Sequence, residues 1–202
     1  MTVAIPVRAL EGAKSRLGAV LDAEERRDLV ERLLLRTVRV ALATPGVTEV
    51  LVVSPDPDVL ALANGAGARG VRQVSRGLNP ALVEAREAAT GERLLIVPGD
   101  LPTVSADDLA AVLAAGDQAG SPSVVLAPDR HDRGTNTLLL DPPGVIDPAF
   151  GGGSRDGHRW LASEAGVPFL EVGGRPGLAN DLDTPDDLLL AELSLLETAR
   201  VD

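Results

Sequence analysis

The sequence predicts an α/β protein with a mostly parallel central sheet flanked by helices on both faces. Short aliphatic runs recur along the chain, and each is followed by an amphipathic segment with its own cap, an alternation that builds such a sheet. The polar and Gly-rich motifs follow directly on strand ends, where open α/β sheets bind their ligands. No linker, repeat or low-complexity stretch divides the 202 residues. A single domain over residues 1–202 is expected, since domains run to roughly 100–200 residues.

Residues 3–7 (VAIPV) read as a buried first strand, followed by a polar stretch over 8–16 and a short amphipathic piece over 17–21. Asp22 with Glu25 three positions on forms a capping box for a helix reaching Ala43, with Val30, Leu34, Val38 and Ala41 at helical spacing. Pro45 and Gly46 break it. Residues 49–53 are a second strand, 57–63 a helix and 71–74 a weak third strand. A helix opens at Leu78 and runs to about Ala89, and 94–97 is a strong strand ending in P-G-D-L-P. Ser105 caps a helix to about Ala115. Residues 123–127 and 137–140 are strands, and 154–165 is a helix entered from a triple-glycine loop. Residues 168–172 form a last strand. Thr184 then caps a final helix, with Pro185 at its first position and Asp186 and Asp187 in its first turn.

One Trp, two Phe and no Tyr leave a core that must be aliphatic, and they leave no stacking platform for single-stranded nucleic acid. A net charge of −11 opposes binding to nucleic acid or anionic membranes, while a few local cations still suffice for a phosphate ligand. Without cysteine there are no disulfides, thiolate metal sites or cysteine nucleophiles. Residues 1–7 carry no basic leader, and apolar runs stay short of the roughly eighteen residues of a membrane span, so a cytoplasmic location is expected.

Six motifs carry the chemistry. After the first strand, Arg8 and the G-A-K-S-R run through Lys14, Ser15 and Arg16 suit an anion met by side chains and amides together, although a solvated basic loop has the same composition. The spacing is not that of a Walker A loop. Asn79, in G-L-N ahead of a helix, offers both donor and acceptor to a base edge or ribose, or it is an ordinary turn residue. Asp100, held between Pro98 and Pro102 at a strand end, is well placed as a Mg²⁺ ligand, or it is a turn residue. Thr135, Asn136 and Thr137 combine hydroxyls and an amide just before a strand. Gly151 to Ser154 presents free amides at a helix start, which makes an anion seat or a flexible loop. Asp181 and Asp183 alternate as on a strand end, which lets both face one side and one or both share a metal with Asp100, while Thr184, Asp186 and Asp187 serve helix capping and dipole compensation. His131 and His158 are set aside as surface or packing residues. No serine elbow or zinc spacing is present, and the first strand is not followed by G-x-G-x-x-G, which argues against a nucleophilic triad, a zinc hydrolase and a dinucleotide redox enzyme.

In this order, I-P-V-R-A-L-E-G-A-K-S-R-L (5–17), G-L-N-P-A-L (77–82), V-P-G-D-L-P (97–102), P-D-R-H-D-R-G-T-N-T-L-L (128–139), F-G-G-G-S (150–154) and D-L-D-T-P-D-D-L (181–188) resemble the CofC/FbiD family of guanylyltransferases across nearly the whole chain. It departs at Gly99, at Arg8 in place of a more usual Lys, and at Arg155 and Asp156. The resemblance implies a nucleotide-diphospho-sugar transferase-like fold (GT-A-like and Rossmann-related). It also implies transfer of GMP from GTP to phosphoenolpyruvate, 2-phospho-L-lactate or 3-phosphoglycerate in making coenzyme F(420). Carried over by motif, Asp100, Asp181 and Asp183 would hold Mg²⁺. Arg8, Lys14, Ser15, Arg16 and Asn79 would meet the nucleotide, with Lys14 and Asp100 catalytic. Thr137, Gly151 and Ser154 would bind the acceptor acid, with Thr135 and Asn136 close by. The partners implied are these substrates and a transient contact with the enzyme that uses the product. The competing readings are a sugar-phosphate nucleotidyltransferase, for which the chain offers few sugar-ring contacts, and a non-catalytic GTP-binding subunit, which would not need three aspartates.

Overall fold

The computed structural model describes residues 1–198. The elements are β1 (Thr2–Pro6), a 3₁₀ turn (Ser15–Ala19), α1 (Ala23–Ala43), β2 (Glu49–Ser54), α2 (Pro57–Gly65), β3 (Arg69–Arg72), α3 (Leu78–Ala88) and β4 (Leu94–Ile96). They continue with α4 (Ala106–Ala119), β5 (Ser123–Pro128), β6 (Thr135–Asp141), α5 (Ser154–Glu164), β7 (Phe169–Glu171), α6 (Pro176–Ala179) and α7 (Pro185–Thr198). One seven-stranded sheet has the order β3-β2-β1-β4-β6-β5-β7. Only β6 runs against its neighbours; the other pairings are parallel.

The central strands are apolar throughout because both sheet faces are covered. Val3, Ile5, Val52, Leu95, Val125 and Leu139 point to the face that carries α1, α2 and α4. Ala4, Leu94, Ile96, Leu126, Leu138 and Leu140 point to the face that carries α3 and α5. The core is aliphatic, as the composition requires, and each fully buried Leu or Ile stabilises it by roughly 1.5–3 kcal/mol.

Four local expectations shift. The third strand lies at Arg69–Arg72 rather than 71–74, because the Glu84 carboxylate takes the N–H groups of Val74 and Ser75 and draws the chain off the ladder. Val74 ends 87% exposed. α4 runs past Ala115 to Ala119, since Gly116 does not stop it. A Cβ there would meet the Leu139 side chain at 2.5 Å, so the glycine serves helix–sheet packing. β6 begins at Thr135, two residues early, across an irregularity at Ala127 and Pro128. The short helix α6 had no sequence counterpart.

The antiparallel direction of β6 is what builds the site. Parallel strands β1, β2, β4 and β5 deliver their following loops to one sheet edge. β6 starts at that edge, so Thr135, Asn136 and Thr137 stand beside the loop that carries Asp100. A small separate core of Leu17, Leu33, Leu182 and Ala191 joins the 3₁₀ turn, α1 and the segment before α7. It anchors the two chain segments that carry Lys14 and Asp183.

Candidate active site

Leu182 is buried, so its neighbours Asp181 and Asp183 are turned away from that small core, as the alternation predicts. The Leu182 N–H donates to the Asp100 carbonyl at 3.0 Å and locks the segment to the β4 loop. Gly99 lets that loop pass β1, since a Cβ there would lie 3.2 Å from Val7. Across the gap, Leu10 donates its N–H to Asp56, the N-cap of α2, and this holds the loop after β1. Lys14 adopts a left-handed backbone conformation (φ 51°, ψ 41°), an uncommon one for a side-chain-bearing residue and one that concentrates at functional sites.

The result is one cation between two carboxylates. Lys14 Nζ donates to Asp100 Oδ2 at 2.5 Å and to Asp183 Oδ1 at 2.7 Å, with only 11% of the lysine side chain exposed. Burial works against this charge, but Asp100 and then Asp183 outweigh it and hold the ammonium above its ordinary value. Asp181 stands close enough that, beyond the effect of burial, Asp100 and Asp183 raise its pKa. Arg16 reaches Asp183 at 3.5 Å from an exposed position, and Arg8 and Ser15 are exposed.

Among the described residues, no three carboxylate or imidazole side chains close on a single point as a ready metal cage. The donor set still fits a hard divalent cation. Mg²⁺ takes one or two protein carboxylates and fills its sphere with phosphate and water, and here two carboxylates already converge on a positive charge.

Two asparagine side chains are engaged with backbone. Asn79 Nδ2–H donates to the Phe150 carbonyl (3.0 Å) and its Oδ1 accepts the Phe150 N–H (2.8 Å). These bonds clamp the glycine loop. Asn136 gives its amide hydrogens to the carbonyls of Leu178 and Ala179, both at 2.9 Å, and so holds α6. Thr135 bonds His158. Thr137 differs from both, because its hydroxyl is fully buried and has no hydrogen-bond partner among the described residues. Gly151 is exposed. Ser154 is buried and donates its N–H to the Gly151 carbonyl at 3.1 Å.

His158 proves more than filler. Its Nε2 accepts the Ala149 N–H at 2.9 Å, its Nδ1 lies 3.0 Å from the Thr135 hydroxyl, and Phe150 packs edge-on against the ring. The ring thus joins the start of β6 to the glycine loop. An Nε2 that accepts is unprotonated, and burial lowers the pKa to about 4. The unfolded chain therefore takes up the proton first, and stability falls as pH drops from about 6.5 to about 4. His158→Gln should flatten the pH dependence of urea-unfolding free energy in that window by up to about 1.4 kcal/mol per pH unit relative to the parent. Parallel curves for the two proteins would refute the buried neutral ring. Neither His158 nor Asp56 announces itself in the sequence, because their partners lie 23 and 46 residues away.

The fold is that of nucleotide-diphospho-sugar transferase-like proteins: a putative nucleotide-diphospho-sugar transferase from Desulfovibrio desulfuricans superposes with a TM-score of 0.74 at 16% identity, covering 93% of this chain and 84% of that one. A nucleotidyl transferase from Methanothermobacter superposes with a TM-score of 0.68 at 22% identity, covering 98% of this chain and 99% of that one. The chain belongs to the CofC-like guanylyl transferases, a family that matches residues 1–194. Two similar proteins are named phosphoenolpyruvate guanylyltransferase. The one from Rubrobacter xylanophilus is 47% identical over 193 residues, 94% of this chain and 92% of that one. The one from Sphaerobacter thermophilus is 45% identical over 187 residues, 91% and 88%. The family resemblance read from the six motifs holds, and neither competing reading is favoured.

Proposed function

We propose that this chain, acting as a single domain, transfers GMP from GTP to the phosphate of phosphoenolpyruvate and releases pyrophosphate, as a step in making coenzyme F(420). The acceptor is taken from the relatives' names. The observation that carries the chemistry is the Lys14 ammonium seated between Asp100 and Asp183.

An oxygen of the acceptor phosphate attacks the α-phosphorus, the bond to the bridging oxygen breaks, and pyrophosphate leaves with that electron pair. The attacking oxygen is already an anion, so no general base is needed, which fits a site whose His158 is structural. The difficulty is to bring two polyanions together. Arg8, Lys14, Ser15 and Arg16 meet the triphosphate. Thr137, Gly151 and Ser154 hold the acceptor acid, with Thr135 and Asn136 as their frame. Asp100 and Asp183, with Asp181 adjacent, would hold Mg²⁺, which supplies charge neutralisation to the phosphates when bound. Catalysis is then positioning and electrostatic stabilisation. Among the described residues no helix is long and apolar enough to cross a membrane. We place the enzyme in the cytoplasm, in transient contact with the enzyme that consumes its product.

Pyrophosphate release should be measured with Mg²⁺, offering GTP or ATP against phosphoenolpyruvate, 2-phospho-L-lactate and 3-phosphoglycerate in turn. Release with GTP and phosphoenolpyruvate is expected. A different productive pair would replace the acceptor or the base. No release from folded protein, even with an enzyme present that draws off the product, would overturn the reading.

A further inference from the structure

Asp187 looks like a helix cap. It lies at the start of α7, and its Oδ2 accepts the Thr184 N–H (2.7 Å) and hydroxyl (2.8 Å). That cap needs only one oxygen. The same Oδ2 also takes the Asp183 N–H at 3.0 Å, and Oδ1 pairs with Arg130 from the loop between β5 and β6. Only 3% of the Asp187 side chain is exposed. Burial opposes its ionisation, yet Arg130, Thr184 and the two amides hold its pKa at about 2. Arg130 is tied at its other end, since its N–H donates to the Ala179 carbonyl at 3.0 Å. Its charge also faces Asp181.

Capping alone does not call for an arginine, and a pair between a buried carboxylate and a guanidinium whose side chain is 29% exposed contributes little net stability. What the pair does achieve is geometric. It links the loop that leads into Thr135 and Thr137 to the backbone of Asp183, whose carboxylate reaches Lys14.

We propose that Arg130 and Asp187 are positioning residues that set Asp181 and Asp183 against Asp100 for the divalent cation, and that keep this group in register with the acceptor strand. The inference rests on the metal-dependent reading above. Residues that orient metal ligands typically contribute about 10–100-fold to metal affinity.

The test is Mn²⁺ binding followed by electron paramagnetic resonance, in the presence of a non-hydrolysable GTP analogue, for the parent, Arg130→Gln and Arg130→Lys. Removing a positive charge near carboxylates would by itself tighten cation binding. Lost positioning loosens it, so the two effects differ in sign. Arg130→Gln is expected to bind Mn²⁺ roughly tenfold or more weakly, and Arg130→Lys to recover part of the loss. Asp187→Asn, if it folds, should weaken binding similarly while the KM for GTP at saturating metal changes little. Unchanged or tighter Mn²⁺ binding in Arg130→Gln, with only a lower melting temperature, would overturn the proposal and leave the pair a structural tie. Failure of the parent itself to bind Mn²⁺ would overturn the metal-dependent reading, and the proposal with it.

Discussion

Asp100→Asn is expected to abolish guanylyl transfer while leaving the fold intact. Rate should fall by at least about 10²–10³-fold, because the carboxylate is one of two that fix the cationic centre, and removing a single preorganised electrostatic group typically costs that much. The change is nearly isosteric. The loop does not need the charge, since the Asp100 carbonyl keeps its bond from Leu182 and Leu101 stays buried. The side chain is 30% exposed, and partly exposed ion pairs contribute little to stability. The melting temperature should therefore stay within a few degrees of the parent while pyrophosphate release vanishes. Near-normal turnover would remove Asp100 from the chemistry. A large drop in melting temperature would instead make its pairing with Lys14 chiefly structural.

What could be read ahead of the structure follows physical locality. β1, β2, β4 and β5 are buried on both faces, so they appear as unbroken apolar runs. The loops that follow them had to collect at one edge, which placed Lys14 and Asp100 together. Asp181 and Asp183 were legible because the buried Leu182 between them forces alternation. Individual side-chain partners were not. Nothing in G-L-N says that the Asn79 amide closes on the backbone of Phe150, 71 residues on. Likewise T-N-T does not reveal that Asn136 faces α6 while Thr137 alone keeps a free hydroxyl. Asp187 was read as a cap from its spacing to Thr184, and that part is local. Its second oxygen meets Arg130 across 57 residues, and such a contact leaves no periodic trace. The edge strand β3 slipped because Gly70 and a half-exposed environment weaken the alternation, and the side chain of Glu84 on α3 decides where the ladder ends.

Lys14→Ala is expected to move catalysis and metal binding in opposite directions. Its ammonium sits where a divalent cation would meet Asp100 and Asp183. Its pKa is raised from 10.5, so at neutral pH it cannot make room by losing its proton. A free metal ion entering without nucleotide must displace this paired ammonium from between the two carboxylates. In Lys14→Ala that competitor is gone and the carboxylates are left facing one another, so Mn²⁺ should bind the nucleotide-free variant at least about tenfold more tightly than the parent, a difference of about 1.4 kcal/mol. The same substitution removes a cation from the triphosphate, and kcat/KM should fall by about 10²–10³. Calorimetric Mn²⁺ titration of both proteins without nucleotide checks the first, and pyrophosphate release checks the second. Equal Mn²⁺ affinities would mean that the ammonium and the metal occupy different places. Opposite movements would mean that Lys14 fills the metal's place until a triphosphate offers it other anions, so that nucleotide and metal enter the site together.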